Sequence, residues 1–418
     1  MDLGSTLGGF GVAGRGTTVV GMRLIEPLLA AAVAAAPTWS HERLTSALDG
    51  RGASYDAIVA GLSGGLIGAT FGDCASGFAP LAATAPPPVT ELREELWAGP
   101  IATADHYTAV LNTQRCGGTR MDLAAVAADG RVLSRAPLPV RGYAQPVELA
   151  PGAVAWAEHL SDTRVRVRAL VGGKAVTLAS EPDAGDLDPG VDELTVTTAP
   201  DGRVLVAWST QDHVRAAIVS RSGKPGLPVT VGRSLDMATP VAALGTGGRA
   251  VVAWSTRDGG EEQNERTRVY AAVRAGGRFR PAQLLDRART LSAFADDPDG
   301  DARVALAPDG RALASWTALV RGERKAVRVA AARPGQRFGA RRTLTADGTG
   351  ADVAFTGDSR PLVTWAARGA VYLERNGRRE KVAATDGPHA PRVSVLADGR
   401  VRVTWRTGFQ PALHVATD

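Results

Sequence analysis

Short apolar runs recur along the chain, and each one ends in tryptophan. The six tryptophans are Trp156, Trp208, Trp254, Trp316, Trp365 and Trp405. Successive separations are 52, 46, 62, 49 and 40 residues. Self-similarity at a period of 40 to 50 residues is typical of an internal repeat that builds a propeller or a solenoid.

One copy of the repeat, beginning at Leu194, reads as four strand-length segments. Asp201-Gly202 joins the first two segments, and this dipeptide favours a tight hairpin turn. The second segment, Val204 to Trp208, is wholly apolar, so we expect both of its faces to be covered. The third segment alternates, most clearly in Arg164-V-R-V-R-A, which predicts one solvent-facing side. A second glycine turn leads to a polar fourth segment.

Four antiparallel strands per repeat predict the blade of an all-β propeller. Six tryptophan copies, together with residues 100 to 142, where Leu111 takes the tryptophan position, predict seven blades within a range of six to eight. The last copy ends after its third strand. Residues 89 to 98 either supply the missing outer strand, which would hide an open sheet edge, or form a short helix.

The hairpin Ala199-P-D-G-R-V-L-V-A-Trp208, followed by a V-x-x-A strand and a glycine turn, resembles the P-D-G repeats of exported bacterial propellers such as the Tol-system propeller. The resemblance covers residues 89 to 418 and implies the fold, whereas function must be argued from a site. The chain has neither the S-x-D-x-G-x-x-W box of sialidase-like propellers nor the Gly-His and Trp-Asp pairing of WD repeats.

Three regions follow from this pattern. Residues 1–40 form a leader, in which Met22 to Thr38 carries an arginine, an apolar stretch and Ala-x-Ala, as in a signal peptide that starts at Met22. An amphipathic or unstructured N-terminus is the alternative. Residues 41–86 are rich in Gly, Ala and Pro and are predicted to be a flexible segment and linker, and residues 87–418 form the propeller. The longest apolar stretch, residues 57–72, is shorter than the roughly 20 residues that span a bilayer, so no membrane span is expected after processing.

The charge balance is basic, with 48 Lys and Arg against 43 Asp and Glu. All but four of the basic residues are arginine, and they are scattered along alternating strands and interleaved with the acidic residues. This mixture is typical of a solvated surface, and we predict no nucleic-acid partner.

Cys74 and Cys116 are the two cysteines of the chain. Two thiols cannot build a four-thiolate zinc or iron-sulfur site. In an exported protein they would form one disulfide that spans 42 residues and stabilises the fold by about 4 kcal/mol. In a cytoplasmic protein both would stay free.

The candidate ligand site lies on loops. In a propeller, the connections between blades and the loops after each second strand emerge on one face, around the central channel. Acidic and histidine residues are frequent in these loops, and a protein or glycan ligand is expected there. The candidate ligand residues are Asp186, Asp188, His159, His213, Asp258, Glu262 and His389.

Asp297, Asp299 and Asp301 alternate as carboxylates do in calcium loops. The twelfth loop position is Pro308, which has no ligating side chain, so a full hand-type loop is absent. A Ca²⁺ site on these three residues and a solvated acidic turn are the two interpretations, and no other cofactor is expected.

The six histidines form neither an H-x-H nor an H-E-x-x-H pattern. We therefore expect a non-catalytic, secreted or cell-envelope propeller that acts as a binding or scaffold module for a protein, glycan or cell-wall ligand. The alternative is a glycan-active hydrolase or lyase that uses loop carboxylates such as Asp188 and Glu262. Whether the chain is an enzyme, and which residues would be catalytic, stays open.

Overall fold

The structure is a computed structural model of the chain. It describes residues 39–44, 54–61, 64–71, 75–81, 90–92, 95–103, 105–112, 120–161, 163–182, 190–235, 238–258, 266–289, 302–321, 324–407 and 413–418. The regular secondary structure of the described residues is almost all β-strand, as predicted.

The strands of the first half are β1 (Ser40–Leu44), β2 (Ser54–Gly61), β3 (Gly64–Phe71), β4 (Ala75–Leu81), β5 (Thr90–Leu92), β6 (Glu95–Ala102), β7 (Tyr107–Asn112), β8 (Met121–Val126), β9 (Val132–Pro137), β10 (Tyr143–Ala150), β11 (Ala153–Ser161), β12 (Arg164–Val171), β13 (Lys174–Pro182), β14 (Leu194–Thr198), β15 (Val204–Ser209), β16 (His213–Val219) and β17 (Val229–Arg233).

A single short 3-10 turn, Thr246–Gly248, is found among the described residues after β18. The strands of the second half are β18 (Thr239–Leu244), β19 (Ala250–Asp258), β20 (Arg266–Ala275), β21 (Arg278–Phe279), β22 (Gln283–Arg289), β23 (Arg303–Leu306), β24 (Ala312–Arg321), β25 (Arg324–Ala332), β26 (Arg342–Thr345), β27 (Thr349–Phe355), β28 (Pro361–Ala367), β29 (Ala370–Arg375), β30 (Arg378–Ala384), β31 (Pro388–Val395), β32 (Val401–Thr407) and β33 (Leu413–Thr417).

These strands form a β-propeller with eight blades in the described part of the chain, within the predicted range and one more than seven. Consecutive strands pair antiparallel in blade 1 (β2 to β5), blade 2 (β6 to β9), blade 3 (β10 to β13) and blade 4 (β14 to β17). The same holds for blade 5 (β18, β19, β20, β22), blade 6 (β23 to β26) and blade 7 (β27 to β30). One pair, Arg289 with Leu319, joins blades 5 and 6 into a larger sheet.

Blade 8 combines both ends of the described chain. It contains β31, β32 and β33, and β1 pairs with β33 as its outer strand, with Ser40 opposite Thr417 and Leu44 opposite Leu413. The prediction that residues 89 to 98 supply this strand is wrong. Thr90–Leu92 is instead the outer strand of blade 1, and Glu95–Ala102 is the inner strand of blade 2.

Most of blade 1 lies within residues 41–86, for which the sequence predicts a flexible segment and linker. The structure places three of its four strands there, β2, β3 and β4. Glycine has a packing role in this blade, because a Cβ at Gly68 would lie 2.5 Å from Leu96 Cδ2 and 2.8 Å from Pro100 Cδ. The inner strand of blade 2 therefore approaches β3 more closely than any side chain would permit.

The hydrophobic core lies between neighbouring blades. All six repeat tryptophans are fully buried, and each sits on the second strand of its blade. Trp208 packs with residues of blades 3 and 4, Trp254 with blades 4 and 5, and Trp316 with blades 5 and 6. Leu111 occupies the equivalent position between blades 1 and 2 and is also fully buried. The predicted register of the repeat is therefore confirmed.

The propeller has two faces with different connections. The loop face carries the connections between blades and the turns between second and third strands, such as Arg368-Gly369. The turn face carries the hairpins between first and second strands, such as Asp201-Gly202, and those between third and fourth strands, such as Gly172-Gly173.

Candidate functional site

The structure describes three of the predicted ligand residues, and all three lie towards the loop face. His159 is near the end of β11 in blade 3, His213 begins β16 in blade 4, and His389 is the second residue of β31 in blade 8. Blades 1 and 2 separate blade 8 from blade 3. Within the described residues, no group of three or more His, Cys, Asp or Glu side chains is arranged to hold a metal ion.

Several predicted residues lie outside the described part of the chain. Asp258 ends β19, but its side chain is not described. The others outside the described residues are Asp186, Asp188, Glu262, Asp297, Asp299, Asp301, Cys74 and Cys116.

An aromatic cluster stands at the loop face of blades 2 and 3. Trp97 and Tyr143 meet edge to face, with ring centroids 5.7 Å apart and an interplanar angle of 73°. The ring centroids of Tyr143 and His159 are 5.8 Å apart, with an interplanar angle of 49°. Tyr143 is 42% exposed, and Trp97 and His159 are half-buried. We call these three residues the aromatic platform.

The strand pairing of blade 3 brings Tyr143 and His159 together. Tyr143 begins β10 and lies directly opposite His159 of β11. Gly142 permits the chain to enter β10 over this pair, because a Cβ there would lie 2.5 Å from the His159 carbonyl oxygen. Its φ of 97° is also one that glycine adopts without strain.

The strand pairing around Trp97 is irregular. The register of β6 with β7 shifts between Leu96 and Ala98 and again between Ala98 and Ile101, so Trp97 lies within the first irregularity. Bulges bend a strand and change the direction of its side chains, and they are frequent next to binding sites. The register of β10 with β11, the first two strands of blade 3, also shifts, between Ala144 and Val147.

Polar groups surround the platform. The hydroxyl of Tyr143 donates to Gln145 Oε1, and a ring nitrogen of His159, Nε2, lies 3.3 Å from the Gln145 carbonyl oxygen. The side chain of Gln145 is exposed. Aromatic faces combined with a few positioned polar groups are typical of a small-ligand site.

A buried carboxylate supports the platform from within blade 3. Glu158 precedes His159, is fully buried, and accepts a hydrogen bond from the backbone N–H of Arg141. Arg168 Nη1 lies 3.4 Å from Glu158 Oε1, and Arg166 Nη1 lies 3.9 Å from Oε2. Because a buried carboxylate needs compensating partners, these contacts hold the end of β11 in place.

Two further carboxylates belong to the innermost strands of blades 3 and 4, Glu148 on β10 and Glu193 directly before β14. Glu148 of β10 is accessible to solvent but is surrounded by protein walls, as expected beside the central channel. Reduced solvation, and secondly the negative charge of Glu193, raise the pKa of Glu148 to about 7. The carboxyl group of Glu148 can therefore hold or release a proton near neutral pH.

A shallow depression occupies another part of the loop face, between blades 6 and 7 and the start of β31. It has a volume of about 260 Å³ and is lined in part by Lys325, Asp347, Arg368 and Pro388. Arg368 Nε is 3.8 Å from Asp347 Oδ2 across an exposed pair. Its polar lining distinguishes it from the aromatic platform.

His159 was predicted from the sequence, whereas Trp97, Tyr143 and Gln145 were not. Trp97 is one of the two tryptophans outside the repeat position. That departure from the repeat is the signal that would have pointed to it. Nothing local in the sequence distinguishes Tyr143, because its role depends on pairing with His159 and on the approach of blade 2.

Comparison with solved structures gives propellers at low sequence identity. BamB from Moraxella catarrhalis has a TM-score of 0.46 at 13% identity, covering 87% of this chain and 96% of its own. The Neurospora crassa Pan2 WD40 domain has a TM-score of 0.44 at 7% identity, covering 91% and 95%. The propeller domain of the Trilobed protease from Pyrococcus furiosus has 0.42 at 9%, covering 77% and 95%.

These likenesses concern the fold alone, and the assignment as a β-propeller rests on the strand order described above. No family model matches the chain, and no curated protein matches it significantly. Among the described residues, no helix is long and apolar enough to cross a bilayer.

Proposed function

We propose that this propeller is a non-catalytic binding module of the cell envelope or the extracellular space, and that its loop face binds a glycan or cell-wall polymer. The single observation that carries the proposal is the aromatic platform, with Tyr143 exposed between Trp97 and His159. The faces of pyranose rings present C–H groups that pack on aromatic rings, and sugar hydroxyls bond to amides and carboxylates. Gln145 lies beside the platform to make such a bond.

The architecture also favours a preformed site. Trp97 and Tyr143 project from the inner strands of two blades rather than from long loops, and Glu158 with its arginines fixes the strand that bears His159. A ligand would therefore meet side chains whose positions are already set, which lowers the entropy cost of binding. A protein ligand that presents an aromatic or planar side chain is the other partner class compatible with the same surface.

The test is binding of the full chain to an array of glycans and cell-wall polymers, with released product measured in the same wells. We expect binding without product, and we expect Tyr143→Ala and Trp97→Ala each to weaken it by about tenfold or more, as for a central aromatic contact. Arg368→Ala is the matched control, because it removes an exposed side chain elsewhere on the loop face. Unchanged affinity of both platform variants would exclude this site.

A glycan-active hydrolase or lyase is the alternative, and one observation favours it. Glu148 and Glu193 are two interacting carboxylates, and the pKa of Glu148 is raised to about 7, which suits a general acid. Released product that disappears in Glu148→Gln, with binding retained, would support the enzyme. Binding without product from any polymer would support the binding module. The earlier loop candidates Asp188 and Glu262 are tested by the same assay.

Export is supported by the signal-like segment that begins at Met22, and mass spectrometry of the mature N-terminus tests it. The disulfide between Cys74 and Cys116 belongs to this proposal. Phe71 and Ala75 flank the first cysteine, and Asn112 and Met121 are the nearest strand ends to the second. All four strand ends lie on the loop face of adjacent blades 1 and 2. Intact mass with and without reductant would show whether the bridge forms.

Calcium binding by Asp297, Asp299 and Asp301 remains a separate proposal. Binding of the polymer in the presence of Ca²⁺ and after chelation tests it. Loss of affinity on chelation, reproduced by Asp299→Asn, would support the site. Equal affinity under both conditions would favour the solvated acidic turn.

A further inference from the structure

The hairpins between third and fourth strands on the turn face carry an excess of positive charge. In blades 3 to 7 these segments contain no acidic residue. They present Lys174, Arg221, Lys224, Arg278, Arg337 and Arg378, which we call the basic rim. All six side chains are exposed, and in the described part of the chain none of them is in an ion pair.

Four inner hairpins of the same face differ, because in each of them an aspartate pairs with an arginine. Asp201 pairs with Arg203, and Asp309 Oδ2 lies 2.7 Å from Arg311 Nε. The hydrogen bond from Arg203 lowers the pKa of Asp201 to about 2, so this carboxylate stays ionised. The excess positive charge of the face therefore resides on the outer hairpins.

The outer hairpins of blades 3 and 4 touch each other, and so do those of blades 5 and 6. A Cβ at Gly223 of blade 4 would lie 3.2 Å from Lys174 Cβ of blade 3. A Cβ at Gly335 of blade 6 would lie 2.9 Å from Ala275 Cβ of blade 5. These contacts bring the cation-bearing hairpins of each pair of blades together on one face.

An exposed apolar side chain lies beside the same rim, on the outer edge of blade 4. Leu227 follows Lys224 in the segment P-G-L-P and is 89% exposed. The segment is fixed by backbone hydrogen bonds, from Ser220 N to the Lys224 carbonyl at 2.9 Å and from Gly226 N to the Ile218 carbonyl at 2.8 Å. Leu227 is thus held out from the blade by an ordered loop.

We propose that the turn face docks on an anionic lipid bilayer surface through the basic rim, with Leu227 inserted among the headgroups. Lysine and arginine near an anionic leaflet are attracted within a Debye length, and a buried apolar side chain adds affinity. A flat bilayer surface can contact the outer hairpins of all five blades at once. A single polymer chain would contact only those hairpins that lie along its path. The loop face then points away from the membrane, and this inference does not depend on the ligand proposed for it.

The test is cosedimentation of the full chain with vesicles of phosphatidylcholine alone or with phosphatidylglycerol. We expect binding to the anionic vesicles only, falling steeply as salt is raised. Lys224→Glu/Arg337→Glu should weaken it by about tenfold or more. The matched control, Arg164→Glu/Arg324→Glu, reverses two exposed arginines on the loop face, alters the net charge equally, and should retain binding. Thermal unfolding confirms that each variant is folded.

Leu227→Ser separates a membrane from a soluble polyanion. We expect it to weaken vesicle binding measurably while leaving any binding of inorganic polyphosphate unchanged. Equal loss in the rim and control variants, or equal binding to neutral vesicles, would overturn the proposal. Retention of full vesicle affinity by Leu227→Ser, with strong polyphosphate binding, would also overturn it in favour of a soluble polyanion.

Discussion

The carboxylate of Glu181 accepts a hydrogen bond from Trp208 Nε1 at 3.0 Å across the boundary between blades 3 and 4. Arg215, directly opposite Trp208 on β16, donates to the same carboxylate at 2.6 and 2.8 Å and lies over the indole ring. Blades 5 and 6 repeat this arrangement, since Asp286 accepts from Trp316 Nε1 at 2.7 Å and from Arg328. The tryptophan thus joins one blade to the preceding one by polar as well as apolar contacts.

The residue opposite the tryptophan determines whether a carboxylate is needed. In blades 5 and 7 it is Tyr270 or Tyr372, which stacks on the indole at 5.5 or 5.7 Å. A tyrosine brings no buried charge, and Trp254 Nε1 donates to the Arg233 carbonyl instead. Arginine at this position, by contrast, has a carboxylate partner in blades 4 and 6.

This relationship predicts the effect of removing the carboxylate. Glu181→Ala leaves Arg215 partly buried without its partner and should lower the free energy of unfolding by about 3 to 5 kcal/mol. The double variant Glu181→Leu/Arg215→Tyr converts the site to the type found in blades 5 and 7 and should recover most of this loss. Denaturant unfolding measures both, and a double variant no more stable than Glu181→Ala would refute the explanation.

The tryptophans themselves make a second prediction. Trp254 is fully buried, stacks on Tyr270, and is packed so closely by Gly232 that a Cβ there would lie 2.4 Å from Trp254 Cζ2. Trp254→Ala should therefore cost about 3 to 5 kcal/mol of unfolding free energy. The control is Trp39→Ala, which removes a half-buried indole outside the repeat and should cost clearly less. Equal costs in chemical denaturation would contradict the burial pattern.

Most blades of the ring could be predicted from the sequence because tryptophan and Asp-Gly recur at matching positions. Blade 1 could not be predicted in this way, since β3 carries glycines where other blades carry bulky residues. Glycine is required at position 68 because Leu96 of the next blade approaches closely. The closing strand was missed for a related reason. The pairing of Ser40 with Thr417 joins residues from opposite ends of the chain, and no local pattern encodes it.

The candidate site was less predictable than the fold. The blade register predicted that His159 lies on the loop face, but its partner Trp97 lies in a register shift of β6 that interrupts the regular alternation. Periodicity identifies residues that obey the repeat, whereas the platform consists of residues that depart from it. Such departures carry function more often than the repeat does.

The closure of the ring can be tested by truncation. A chain that begins at Trp39 keeps β1, and one that begins at residue 45 loses it and exposes the edge of β33. We expect the shorter chain to unfold at a lower temperature and to aggregate, because an unpaired edge strand is a template for association. The chain beginning at Trp39 is the control. Similar melting temperatures and elution volumes for the two would show that β1 does not close the ring.

The last prediction concerns pH. The pKa of Glu148 is about 7 in the folded protein against an ordinary value of 4.5, so between these values the native state binds more protons than the unfolded state. Stability contributed by this group must then fall as the pH rises from about 4.5 to 7. Glu148→Gln should raise the melting temperature at pH 8 relative to the parent and flatten its dependence on pH across that window. Glu193→Gln, which removes the neighbouring charge, should move the window to lower pH. A Glu148→Gln variant with the parent's pH profile would show that Glu148 titrates normally and would remove the support it gives to a general acid in the channel.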